Sequence, residues 1–232
     1  MHKNQVNEQG ETLAEFLKGY TPGHYERPSV TVDIAVFTTE GETLLIRRRN
    51  HPNIYCWALP GGFLEMKETL YESALRELEE ETGVTGVPLQ SIGMFGEPTR
   101  DPRTRILTAA FAAMTPREKL RIQAGDDAAD ARLFRWECEV VGRVNIPTYR
   151  EAADKTSLVL PCTACGEELT EEGTGYRVRL TNGDICVSAL LAVDDAGVSA
   201  LLRTPACESD EVFAGDHALI FFSALRRLAL IA

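Results

Sequence analysis

Apolar residues recur along this chain with two periods. From Leu70 to Thr82 they fall at Leu70, Ala74 and Leu78, with Tyr71 and Leu75 widening the stripe, which is the spacing of one helix face, and Gly83 stops the element. Upstream, Val30 to Phe37 is β-branched or apolar except at Asp33, and after Thr39, Glu40 and Gly41 the run resumes at Leu44 to Ile46, which reads as a β-hairpin. Further strands are expected at Leu89 to Phe95, Arg105 to Ala113 and Ala131 to Trp136, so that strands surround a central helix in mixed α/β order. Glu11 to Tyr20 reads as a short helix ended by Thr21, Pro22 and Gly23. Beyond Trp136 the texture changes. Leu158 to Leu160, Tyr176 to Leu180, Ile185 to Val193 and Val198 to Leu202 alternate with turn clusters such as Thr181 to Asp184, with no long helix until Ala218 to Ile231, whose Ala218, Phe221, Leu225 and Leu228 share a face. No internal repeat is visible.

A length of 232 residues suits one large domain or one domain with an elaboration. With 44% hydrophobic and 25% charged residues, the composition excludes disorder, collagen-like repeats and coiled coil. Twenty-four Lys and Arg against 35 Asp and Glu give a net charge of -11, which disfavours nucleic acid as a partner. No apolar run reaches the roughly 20 residues of a membrane span. The polar start, Met1 to Gly10, lacks a secretory apolar segment, so six thiols (Cys56, Cys138, Cys162, Cys165, Cys186, Cys207) are read as reduced and the protein as cytoplasmic.

The helix at 70–82 carries five glutamates, Glu72, Glu77, Glu79, Glu80 and Glu81, against one base, Arg76. Like charges four apart destabilise a helix by about 0.2 to 0.5 kcal/mol, so something cationic should compensate. At about 100° per residue, Glu77, Glu80 and Glu81 share one wall. A solvated acidic face is the plain alternative, but carboxylate oxygens on one wall are also what a hard divalent cation binds. Arg47, Arg48 and Arg49 divide likewise between a solvated strand end and an anion site. Before the helix, Trp57 to Phe63 runs into Gly61 and Gly62, where a backbone can approach a ligand closely.

From Gly62 through Glu68 to Arg76, Glu77, Leu78, Glu79, Glu80, Glu81, Thr82, Gly83 and Val84, the chain matches every fixed position of the 23-residue box of the Nudix hydrolases, which it therefore resembles. The resemblance implies a Nudix α/β/α sandwich with a mixed sheet. It implies that Glu77, Glu80 and Glu81, with the Gly61 carbonyl, hold Mg²⁺ or Mn²⁺ against a diphosphate and form the catalytic set. It implies that Glu68 pairs with Arg76 to aim the helix, and that Gly62 and Gly83 are structural. The group that takes the water's proton stays open between Glu77, Glu80 and an acid of the loop holding Asp126, Asp127 and Asp130, which also suits a turn.

Phe95 to Arg103, a segment containing Arg100, Asp101, Pro102 and Arg103, together with Tyr25, Arg27, Pro28 and Ser29, resembles the ADP-ribose pyrophosphatases of that family. ADP-ribose, cleaved to AMP and ribose 5-phosphate, is the implied substrate, with Arg100 and Arg103 as phosphate-binding residues, unless the segment is a plain turn with surface arginines. Two other readings are a ligand-sensing regulator and a hydrolase of damaged nucleoside triphosphates. Some relatives of the first kind add a DNA-binding winged helix, for which the residues after Ala218 leave no room. The resemblance covers 25–136 and 213–232, leaving 1–24 as an appendage and 137–212 as a β-rich insertion expected to help build a homodimer. Cys162 and Cys165 form half a zinc knuckle or an ordinary turn.

Overall fold

The computed structural model describes residues 6–124, 128–146, 171–194, 197, 199–203 and 211–231. Its strands are β1 (Ser29–Thr38), β2 (Glu42–Arg48), β3 (Trp57–Ala58), β4 (Gly61–Phe63), β5 (Gln90–Phe95), β6 (Ile106–Thr115), β7 (Ala128–Ile146), β8 (Glu171–Asn182), β9 (Ile185–Asp194) and β10 (Ser199–Arg203). The helices are α1 (Leu13–Gly19), α2 (Leu70–Thr82) and α3 (His217–Arg227). One sheet runs in the order β10-β9-β8-β7-β2-β1-β6-β5, with β3 added to β2 and β4 to β1. β1 lies parallel to β6 and antiparallel to β2 and β4, so the sheet is mixed.

The long apolar run of β1, interrupted by one charge at Asp33, follows from cover on both faces. Val32, Ile34 and Val36 pack with Leu44, Ala74 and Leu78 beneath α2, whereas Ala35 and Phe37 pack with Phe221 and Leu225 of α3. Alternation along a strand puts Asp33 on the side of Ala35 and Phe37. Helix α2 keeps its expected bounds because both ends are capped. Thr69 and Glu72 form a reciprocal capping box, and Gly83 turns left-handed (φ 70°) and donates its N–H to Glu79 O.

Three stretches of the chain differ from the sequence pattern. The apolar stretch into Gly61 and Gly62 makes two short strands, β3 and β4, pinned to β2 and β1. β7 continues through Trp136 and Glu137 to Ile146, with a register shift at Gly142. Helix α3 stops at Arg227 rather than Ile231: Ala229 turns left-handed (φ 54°), its N–H donates to Arg226 O, and the Leu230 N–H donates to Leu225 O. Leu228, Leu230 and Ile231 still pack on the core, which is why the apolar period outlasts the helix.

Strands β8 and β9 extend the same sheet through β7, and their Val178, Leu180, Val187 and Leu191 lie in the core that α3 covers. The expected strand at Leu158 to Leu160 and the residues Cys162, Cys165, Asp126 and Asp127 lie outside the described residues. Among the described residues, no helix is long and apolar enough to cross a membrane.

Candidate active site

Strand β4 brings the double glycine against the acidic wall of α2. A Cβ on Gly61 would stand 2.1 Å from Val32 O, so the backbone excludes a side chain there, and one on Gly62 would stand 2.4 Å from the Glu77 carboxylate and would displace it. The Gly61 N–H donates to Glu81 Oε2 at 2.8 Å. Glu81 is buried, and that burial, which the Gly61 hydrogen bond offsets only in part and the Glu77 charge reinforces, pushes its carboxyl up to about 8. Burial also raises Glu77, against the Arg76 hydrogen bond.

Arg76 organises the rest of the wall. Its Nε and one terminal nitrogen donate to Glu68 at 3.0 and 2.7 Å, and the other terminal nitrogen donates to Glu77 at 2.7 Å and Glu80 at 2.9 Å. A further bond reaches Phe63 O at 3.1 Å, tying helix to strand. The guanidinium holds the Glu68 carboxyl down at about 2.

With Glu77 and Glu80 turned to Arg76 and Glu81 turned to Gly61, the carboxylates do not converge, and no metal-holding group of three Asp, Glu, His or Cys is formed among the described residues. Their chemistry nevertheless fits a hard divalent cation. A buried carboxyl raised to about 8 is one whose ionised form lacks a compensating positive charge, and it sits one hydrogen bond from the backbone of Gly61 and one turn from Glu77. Glu77, Glu80, Glu81 and Gly61 are the residues that would hold the ion.

These groups line a pocket of about 550 Å³, within the range of small-molecule sites, which Arg48, Arg100 and Arg103 also line. The two loop arginines differ. Arg100 is buried, makes a bidentate pair with Asp216 at 2.9 and 2.8 Å, and lies 3.7 Å from Asp33. It thereby ties the loop before β6 to the start of α3. Arg103 is half-exposed, pairs with Asp101 at 2.7 Å, and stacks over the Phe63 ring at 5.3 Å. Asp130, on β7, pairs with Arg132 at 2.6 Å, and Gly83 caps α2 away from the pocket lining.

The sequence reading did not single out Asp33, Asp216 or His217 as pocket residues. The signal for Asp33 was present: it is the one charge in the apolar run of β1. Arg48 comes from the arginine run; its Nε donates to Pro52 O at 2.9 Å, and the side chain lines the pocket. Arg49 also lines the pocket and donates to Ala128 O at 3.1 Å, whereas Arg47 turns to Glu211 at 3.0 Å.

A family model described as the NUDIX domain matches residues 27–146. The chain is 39% identical over 110 residues to an ADP-ribose pyrophosphatase of Methanocaldococcus jannaschii, a match covering 47% of this chain and 63% of that protein. It is 38% identical over 104 residues to the ADPR responsive transcriptional repressor NtrR of Acinetobacter baylyi, covering 43% of this chain and 42% of that protein. The match thus spans less than two thirds of either relative. Among solved structures, a MutT/nudix family protein from Enterococcus faecalis superposes with a TM-score of 0.63 at 28% identity, over 98% of this chain and 73% of that one.

Proposed function

The chain belongs to the Nudix family, and on that premise we propose that it is a metal-dependent pyrophosphohydrolase acting on a nucleoside diphosphate linked to another moiety. ADP-ribose, which water splits into AMP and ribose 5-phosphate, is the favoured substrate, with Mg²⁺ or Mn²⁺ as cofactor. The observation that carries this reading is a pocket that a carboxylate wall and several arginines, Arg48 and Arg103 among them, line together. A diphosphate needs both: cation-binding oxygens on one side and guanidinium donors for its own oxygens on the other. Bound divalent ions neutralise bridging phosphate charge and activate water for attack on phosphorus.

The chain's own residues supply the rest. Arg103, half-exposed above Phe63, exchanges Asp101 for a substrate phosphate, and Arg48 adds a second contact. Arg100, already neutralised by Asp216, positions that loop. Glu68 holds Arg76, and through it the orientation of Glu77 and Glu80. The similarity to ADP-ribose pyrophosphatase supports the substrate, and we place the protein as a cytoplasmic homodimer on the same reading.

The similarity to an ADPR responsive repressor favours one second reading, a sensor that binds ADP-ribose without cleaving it. Product release from ADP-ribose, NADH, diadenosine polyphosphates, nucleotide sugars and oxidised nucleotides separates the readings. ADP-ribose turnover with AMP as product is expected. Binding without turnover would make the protein a sensor, and preference for oxidised nucleoside triphosphates would make it a sanitising hydrolase.

A further inference from the structure

Within the pocket, Asp33 and His217 present an acceptor and a donor that face each other without meeting. Asp33 is buried in β1, and its Oδ2 is engaged, accepting from Thr108 Oγ1 at 2.7 Å and lying 3.7 Å from Arg100. Its Oδ1 lies 3.8 Å from His217 Nε2, beyond direct hydrogen-bond distance. The other side of the ring fixes the tautomer. The Leu59 N–H donates to His217 Nδ1 at 3.1 Å, so Nδ1 presents its lone pair and the proton of the neutral ring sits on Nε2. Burial lowers the pKa of His217, which keeps the ring neutral. Gly61 helps to keep the space clear, since a Cβ there would stand 2.9 Å from Asp33 Oδ1.

The separation is too short for an atom between the two, but a group beside them on the pocket side can reach both, and to do so it must accept from Nε2–H and donate to a carboxylate oxygen. An ionised phosphate oxygen cannot donate, and an ammonium group cannot accept; a hydroxyl does both. We propose that Asp33 Oδ1 and His217 Nε2 form a hydroxyl subsite that takes a ribose hydroxyl of the substrate. This deepens the nucleoside diphosphate reading and rests on it. The hydroxyl could belong to the adenosine ribose or to the terminal ribose, and the test has one arm for each.

The experiment compares KM for ADP-ribose with KM for analogues deoxygenated on either ribose. Leaving a buried donor and acceptor unpaired should raise KM at least about tenfold for one of the two analogues. His217→Asn keeps an acceptor near the Leu59 N–H and removes the Nε2 donor, so the ratio between that analogue and ADP-ribose should fall to within about twofold. Asp33→Ala, which removes the acceptor altogether, should do the same and stands in if His217→Asn does not fold. Equal KM values for all three compounds in the wild type would mean that only water bonds to the pair, and discrimination surviving in either folded variant would also overturn the subsite. Absence of turnover on every compound would instead overturn the hydrolase reading and the subsite with it, so the two failures are distinguishable.

Discussion

Glu81 is a buried acid that the proposed metal ion would neutralise. Its burial beside Glu77 raises its carboxyl to about 8, and the backbone N–H of Gly61 and the more distant charge of Arg48 offset that burial only in part. Glu81→Gln should lower turnover by at least about a hundredfold, because several kcal/mol of charge stabilisation in the transition state depends on the ion it would hold. Wild-type protein should gain melting temperature on adding Mg²⁺ or Mn²⁺, and the variant should gain much less; an equal thermal shift would remove Glu81 from the ion site. Glu68 works in the opposite direction. Arg76 holds it at about 2, below the ordinary 4.5, so its stabilisation is present above pH 4.5 and is lost as pH falls toward 2. Glu68→Gln should therefore lower the melting temperature at pH 7, by a margin that shrinks below about pH 4.5. A margin independent of pH would contradict the pairing. Glu68, Arg76 and the three wall carboxylates were legible because their spacing within one segment is fixed by a helix. The engagement of Arg100 was not, because its partner Asp216 is 116 residues away and only the fold brings them together. Arg103→Ala should accordingly raise KM for ADP-ribose while leaving melting almost unchanged, whereas Arg100→Ala should destabilise the fold by leaving Asp216 and Asp33 buried without their cation. Thermal melts and steady-state kinetics on the pair check this, and loss of stability in Arg103→Ala would reverse the assignment.

At the scale of elements, α2 and β4 are rigid for reasons that their residues state. The capping box at Thr69 and the left-handed Gly83 fix where α2 begins and ends, and Ala74 and Leu78 bury it on β1. Gly62 leaves room for the Glu77 carboxylate beside β4, since a methyl there would lie 2.4 Å from it and must displace it. Leu78→Ala should cost about 2 to 5 kcal/mol by opening a cavity in the layer beneath α2, which denaturant unfolding would measure. Caps and period made α2 readable from the chain alone. Strand β7 was readable only in its first half, because past Trp136 it alternates charged residues with exposed Val140 and Val141 in a stretch held by β8 pairing, which local pattern does not reveal. The end of α3 was hidden for the opposite reason: the residues after the helix continue to bury apolar side chains.

For the whole molecule, β8 and β9 supply core to the face that α3 covers, so the described strands after Trp136 belong to the sheet that carries the site. Replacing 137–212 by a short linker should expose Phe221 and Phe222 and destabilise the chain; the latter ring lies 5.0 Å from Tyr176 of β8. The proposed homodimer is a separate matter, and light scattering on the full chain decides it: a monomer would defeat that assembly without touching the site. The central claim, that the carboxylate wall and the arginines serve one hydrolytic pocket, is tested most directly by following ADP-ribose with Mg²⁺ in wild type and Glu81→Gln. AMP and ribose 5-phosphate released in equal amounts by the wild type, and nearly abolished in the variant, is the expected result. Turnover unaffected by Glu81→Gln, or ADP-ribose left intact by the wild type, would contradict it.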